Sequence, residues 1–284
     1  MPKTLMLLEG GAYRGIFTAG ALDVLLEHDF YFDAVAGISA GAMCGYHFIG
    51  RAHGRVRQIL LEYGNDPRYF STRNLVRSGK SIGDEFMFFD LMEKIPFDFK
   101  TFRESKTRFA VGATNCRTGK ITYFEKGTAT SLNECILASS SLPLTSKMIW
   151  IDGEPYLDGG VAEHAPLTFW KENPEYDRVV LVLTRPLQAR KLPISRLHRR
   201  MLQVVYGRDK ALLPLLLHEP QLFNQQRMEI MRLVRAGKLF VLEPDRRFRV
   251  ERVERDPSIL EEGYRLGREA AEAHLPDLFR YLQG

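Results

Sequence analysis

Cysteine is scarce in this chain of 284 residues, which has only Cys44, Cys116 and Cys135. An odd number at unpaired spacings fits a reduced, cytoplasmic protein better than a disulfide framework and supplies no zinc set. No run of 18 residues is free of charged side chains, so no transmembrane helix is expected. The start of the chain does not read as a signal peptide, because only four apolar residues, Leu5 to Leu8, precede Glu9; they read better as a buried strand. Internal repeats, low-complexity tracts and a clean interdomain linker are also lacking. What is present is ordinary globular material: 45% hydrophobic and 26% charged residues, with 18 Phe for a core. That excludes disordered, collagen-like and coiled-coil proteins. The length suits one large α/β domain with a helical appendage.

Forty basic residues against 35 acidic ones leave a net charge of +5. The excess gathers late in the chain, where Arg185, Arg190, Lys191, Arg196, Arg199, Arg200, Arg208 and Lys210 face Asp209 alone. Such a face could make peripheral contact with an anionic membrane surface. The plainer reading is a solvated helical face. No spacing matches a nucleic-acid-binding module, so no nucleic-acid partner is expected.

Hydrophobic periodicity predicts strand Thr4–Leu8, helix Ile16–Leu26, strand Asp33–Ile38 and a small-residue helix from Ser39 to Ile49. Strand, helix, strand, helix within 50 residues argues for a parallel sheet. A helix over Gly54–Gly64 and a long loop over 65–84 follow. Glu85–Phe99 is dense in Phe and Met, either a helix packed on the sheet or the wall of an apolar substrate pocket. Arg108–Ala113 and Lys120–Phe124 read as a hairpin, and Leu132–Ser140 as a helix. Met148–Ile151 and Glu154–Leu157 read as strands, and Arg178–Thr184 as a central strand. Ile194–Gly237 reads as helical, broken at Pro214 and Pro220; strand Leu239–Leu242 and helix Ser258–His274 close the chain.

Gly37-Ile38-Ser39-Ala40-Gly41 is a G-x-S-x-G with a strand before it and a helix after it, the context of a nucleophile elbow. Glycines on either side let the backbone turn sharply, and the helix N-terminus favours negative charge near the serine. The plain alternative is a tight turn with Ser39 as N-cap. Gly10-Gly11-Ala12-Tyr13-Arg14-Gly15 ends the first strand. It reads as a degenerate dinucleotide fingerprint, as a loop offering bare amides to an oxyanion, or as a structural turn. The fingerprint wants an acid at the end of the next strand, where Ser39 stands instead. Arg14 would steady this loop or attract an anionic headgroup. For a base, two residues compete: His164, in a glycine-rich context, and Asp158, in Leu157-Asp158-Gly159-Gly160. An Asp-Gly turn is the plain alternative for the latter.

Together these motifs resemble bacterial patatin-like phospholipases, which carry a glycine-rich oxyanion loop, a G-x-S-x-G elbow and a later Asp-Gly-Gly in that order. Ala138-Ser139-Ser140-Ser141-Leu142-Pro143 resembles a further family segment, and the likeness extends over about residues 4–185. The resemblance implies a three-layer α/β/α fold with a mainly parallel sheet, as a core over 1–190. A mostly helical extension over 191–284 packs on it. It implies a serine lipid acyl hydrolase that needs no metal or cofactor and acts on a lipid or other ester. Ser39 would be the nucleophile and Asp158 the base, with no histidine. Gly10, Gly11 and Ala12 would form the oxyanion loop, with Arg14 and Gly15 completing it; Gly37, Ala40 and Gly41 shape the elbow, and Gly159 and Gly160 follow the base. Two departures stand out, Ala12 where a third glycine is usual and Glu9 where Asp is frequent. An alanine held at positive φ would cost about 1–2 kcal/mol. A non-catalytic lipid-binding relative and, on the glycine loop, a nucleotide-dependent oxidoreductase are the rival expectations.

Overall fold

The computed structural model describes residues 2–68 and 90–283. Strand β1 (Thr4–Leu8) leads to α1 (Gly15–Glu27), and β2 (Ala34–Ile38) to α2 (Ala40–Ile49) and α3 (Arg55–Tyr63). Short helices α4 (Leu91–Lys94) and α5 (Phe99–Glu104) precede β3 (Arg108–Asn115), β4 (Ile121–Glu125) and α6 (Leu132–Ser139). Then come β5 (Ile149–Ile151), β6 (Glu154–Asp158), α7 (Leu167–Glu172), β7 (Arg178–Val182) and α8 (Arg196–Tyr206). The chain ends with α9 (Leu212–Arg235), β8 (Phe240–Leu242) and α10 (Pro257–Gln283).

Among these residues eight strands make one sheet, ordered β5-β6-β3-β2-β1-β7-β8 with β4 also on β3. The central strands β3, β2, β1, β7 and β8 are mutually parallel; β4 and β6 run against β3, and β5 pairs antiparallel with β6. Central strands of this kind are apolar on both faces, since helices cover both. In β1, Met6 and Leu8 enter one core with α1, α2 and α10, while Leu5 and Leu7 enter another with α7 and α9. The same alternation recurs in β7, with Val180 and Val182 against Val179 and Leu181. The architecture is therefore three-layered α/β/α, with the C-terminal helices packed on the sheet. A third, smaller core of Leu157, Val161, Leu202, Tyr206, Leu212 and Leu216 fastens α8 and the start of α9 beside β6.

Register explains what the sheet brings together. β4 occupies one edge of β3 over Ala110–Thr114, so both β2 and β6 must use the other edge. β2 ends with Ile38 opposite Gly112, and β6, running the opposite way, ends with Asp158 opposite Ala113. The two strands thus meet end to end. The residues at and just beyond that junction, Asp158 and Ser39, are neighbours although 119 positions separate them in the sequence.

Several expectations are corrected. Pro214 and Pro220 do not interrupt the helix; the break lies between α8 and α9, around Gly207. Pro214 is in the first turn of α9, where a missing N–H costs nothing. Pro220 is inside the helix but buried, so tertiary packing offsets the lost hydrogen bond. Helix α10 likewise continues through Pro276, here exposed, to Gln283, beyond the expected His274. All of Glu85–Phe89, and residues 69–84 of the expected loop, lie outside the described residues. In the rest of the Phe-rich stretch, Phe97 is buried and stacks on Tyr46 with ring centroids 4.5 Å apart. Among the described residues of this stretch, Leu91, Ile95 and Phe97 are buried in the core while Phe99 is exposed, and none lines a cavity at Ser39.

Candidate active site

The residues between β2 and α2 are under visible backbone tension. Ser39 has φ 54° and ψ −123°, a region that costs a non-glycine residue about 1–3 kcal/mol. A Cβ on Gly41 would collide with the Leu8 carbonyl, and one on Gly37 would lie 2.5 Å from the Ala42 nitrogen, so neither position accepts a side chain. The Ser39 hydroxyl does not cap α2, which removes the plain N-cap reading. Instead the Ser39 N–H donates to Ser139 Oγ at 2.8 Å, and that hydroxyl donates to the Gly112 carbonyl at 2.6 Å. Ser139, fully buried, pins the turn to β3. Ala40 opens α2, with its methyl against Gly15, the first residue of α1.

Beyond β1 the glycine loop lies beside this turn. The Gly10 N–H donates to the His164 carbonyl at 3.2 Å, and the Gly10 carbonyl accepts from Thr184 Oγ1 at 2.8 Å. Gly11 packs so closely on Thr184 that a Cβ would sit 2.5 Å from its Oγ1. No hydrogen bond engages the amides of Gly11 or Ala12 among the described residues. Ala12 has φ 52°, in the left-handed region, so the strain foreseen for an alanine here is present. It starts a single 3₁₀ turn, Ala12–Arg14, that leads into α1.

Asp158 closes β6 and is 4% exposed. Its Oδ1 accepts from the Gly160 N–H at 2.7 Å, so the plain Asp-Gly turn accounts for half of this carboxylate. Its Oδ2 is buried without a hydrogen bond of regular geometry. Burial pushes the Asp158 pKa upward and outweighs the opposite pull of the Ser39 hydroxyl, the Gly160 amide and the charges of Arg252 and Lys191. Gly159 abuts Gly112 and Ile38, where a Cβ would strike the Gly112 carbonyl. His164, the competing base, turns Nε2 to Glu219 Oε1 at 2.8 Å. Burial holds its pKa below the usual value, and Glu219, which also pairs with Lys191, sits at about 2.

The roles of three contributors escaped sequence reasoning. Glu9 is buried, and its carboxylate accepts from the Thr184 N–H at 2.7 Å, from Thr184 Oγ1 at 3.1 Å and from Arg227 Nη2 at 2.7 Å. Burial pushes the Glu9 pKa up, but Arg227 and these hydrogen bonds prevail and hold it below the usual carboxylate value. Arg227, 1% exposed, comes from α9. Ser139 was visible within Ala138–Pro143, but not its role as a pin. An arginine and a glutamate 218 positions apart leave no local signal.

Ser39 lies between two cavities that share Ala12, Leu142 and Arg252. One, of about 90 Å³, is apolar, walled by Met43, Val56, Ile59 and Leu60. The other, of about 530 Å³, also holds Asp158 and is ringed by Arg14, Arg185, Arg190, Lys191 and Arg252. The Arg14 Nε is buried without a partner, and burial with nearby Arg185 lowers its pKa to about 10. Burial likewise lowers that of Arg185. Lys191 is answered by Glu219, whereas no ion pair engages Arg14, Arg185 or Arg252 among the described residues. No group of three or more His, Cys, Asp or Glu among the described residues could hold a metal ion. The three cysteines are buried and unpaired, with thiol pKa values pushed by burial to about 12.

The family model described as patatin-like phospholipase matches residues 6–169, and the chain belongs to that family. A second family model, a domain of unknown function (DUF6363), matches residues 209–283. The uncharacterized protein YjjU of Escherichia coli is 28% identical over 207 residues, which are 70% of this chain. The matched part is 56% of that relative, so the chain spans little more than half of its length. The crystal structure of VipD from Legionella pneumophila superposes with a TM-score of 0.50 at 14% identity, covering 97% of this chain and 67% of that one. At that identity it speaks for the fold alone.

Proposed function

We propose that the protein hydrolyses lipid acyl esters through Ser39 and Asp158, and that its substrates carry an anionic group on the alcohol side of the ester. Asp158 Oδ2 takes the Ser39 proton as the hydroxyl oxygen bonds to the ester carbonyl carbon. The resulting oxyanion is held by the unengaged amides of Gly11 and Ala12 and by the N-terminal end of α2. Collapse breaks the ester C–O bond, and the departing alcohol takes the proton from Asp158. Water, giving its proton to Asp158, then attacks the acyl-serine, and serine leaves with the proton restored. Gly10 shapes the loop from behind, its own amide being engaged by His164.

The observation that carries this reading is the end-to-end meeting of β2 and β6 on one edge of β3. The two cavities support the division of the substrate. The small apolar one has room for the first carbons of an acyl chain. Cations crowded in the other repel one another until an anion arrives, and a phosphate or carboxylate answers them.

Purified protein is tested on phosphatidylglycerol and phosphatidylcholine of equal acyl composition, dispersed in detergent micelles. Release of fatty acid is expected to be faster from the anionic lipid. It should vanish in Ser39→Ala, and Arg185→Gln should narrow the preference. Unchanged release by Ser39→Ala refutes the nucleophile. Equal rates on both lipids refute the anionic specificity and leave the nucleophile standing.

A further inference from the structure

Helix α8 is unusually exposed for the number of large apolar side chains it carries. Val204 is 85% exposed, Leu197 70%, Val205 57% and Met201 47%, and Leu192 just before the helix is 85% exposed. At roughly 100° per residue, Leu197, Met201, Val204 and Val205 fall within an arc of about 100°. Leu202 and Tyr206 lie on a different side, where they are buried in the small core beside β6 and the Tyr206 hydroxyl accepts from the Leu144 N–H at 3.0 Å. The remaining sector carries Arg196, Arg199 and Arg200, all exposed. The helix is thus anchored along one line, apolar along a second and cationic along a third. It also stands at the mouth of the cationic cleft, since Leu192, Ile194, His198 and Leu202 line it.

We infer that α8 is an interfacial helix that seats the cleft on an anionic lipid bilayer. An apolar stripe bordered by arginines is the pattern of a helix lying in the headgroup plane. Asp209 is the only acid between 185 and 210, so the surface complements a negative one. A second copy of this chain is a poorer occupant, because a two-fold contact would set the arginine stripe against itself with no acid to answer it. A bilayer also explains position: a lipid leaving the headgroup plane at Leu192 would meet the cationic cleft with its phosphate. The inference builds on the lipid-hydrolase reading, but the test separates the two, because binding is measured on a protein that cannot turn over.

The Ser39→Ala protein is sedimented with large vesicles of phosphatidylcholine alone or with one-third phosphatidylglycerol. Three backgrounds are compared: the unaltered helix, Leu197→Ser/Val204→Ser, and Arg196→Gln/Arg199→Gln/Arg200→Gln. None of the altered residues lines either cavity at Ser39. Binding is expected to favour anionic vesicles and to weaken with salt. It should fall by roughly a hundredfold in the triple arginine variant and about tenfold or more in the apolar double variant. The same substitutions with Ser39 restored should leave thermal unfolding and hydrolysis of a water-soluble ester unchanged. Equal binding to both vesicles, or full binding by either variant, overturns the inference. So does a wild-type dimer that Leu197→Ser/Val204→Ser converts to monomer. Vesicle binding with no ester hydrolysis by the Ser39 protein keeps this inference and defeats the catalytic reading instead.

Discussion

Two buried carboxylates stand at the ends of sheet strands, and their surroundings treat them oppositely. Glu9, after β1, receives Thr184 twice and the Arg227 guanidinium, and its pKa is lowered. Asp158, closing β6, receives one amide on one oxygen, has the Ser39 hydroxyl beside it, and its pKa is raised. Burial is nearly equal; satisfaction is not. A fully answered carboxylate holds structure in place, here the root of the glycine loop. A half-answered one retains basicity that a reaction can use.

The largest expected effect breaks the reactive member. Asp158→Asn should lower turnover on an acyl ester by about 10²–10⁴-fold, measured by fatty-acid release. It should also raise the melting temperature at neutral pH, because it removes a buried, under-compensated charge. A lowered melting temperature would assign Asp158 a structural role like that of Glu9.

Next comes the structural member. Arg227→Met should destabilise the fold by about 3–5 kcal/mol in urea unfolding, since it strands a buried negative charge. Adding Glu9→Gln should recover a large part of that loss. Additive losses would show that the two side chains are not a coupled pair.

The pH dependence of stability should separate the two residues by sign. The raised pKa of Asp158 gives stability that is fully present below the unfolded value of 3.8 and lost as pH rises through the folded value. The lowered pKa of Glu9 gives stability present above the unfolded value of 4.5 and lost as pH falls through the folded value. Between acid and neutral pH, the advantage of Asp158→Asn over wild type should therefore grow as that of Glu9→Gln declines. Activity should rise with pH along an acid limb lying above the ordinary aspartate range. Calorimetry across the pH series checks the first, and a pH–rate profile the second.

The smallest effect concerns the loop above Glu9. Ala12→Gly should stabilise by up to about 1 kcal/mol, the relief at φ 52° less the added freedom of the unfolded chain. Thermal unfolding measures it.

Much of the fold was legible because central parallel strands are continuous apolar runs: Thr4–Leu8 and Ala34–Ile38 lie almost where the pattern predicts them. Helix ends were less legible. Pro214 and Pro220 read as breaks, yet a first-turn position and burial made both tolerable. For the site, glycine spacing marked the turns around Ser39 and Asp158, and register brings them together. The supports were not legible. Ser139, Thr184 and Arg227 act through contacts 100, 175 and 218 positions distant, and no local pattern encodes such partners. Nor does spacing reveal that the Gly10 amide is already engaged.

Covalent trapping tests the pairing of Ser39 with Asp158 most directly. Wild-type protein and Asp158→Asn are treated with a fluorophosphonate, and the adduct is located by peptide mass spectrometry. Rapid, single modification of Ser39 is expected in the wild type, with labelling slowed at least about a hundredfold in the variant. Modification of a different residue, or equal labelling rates in the two proteins, would contradict the dyad.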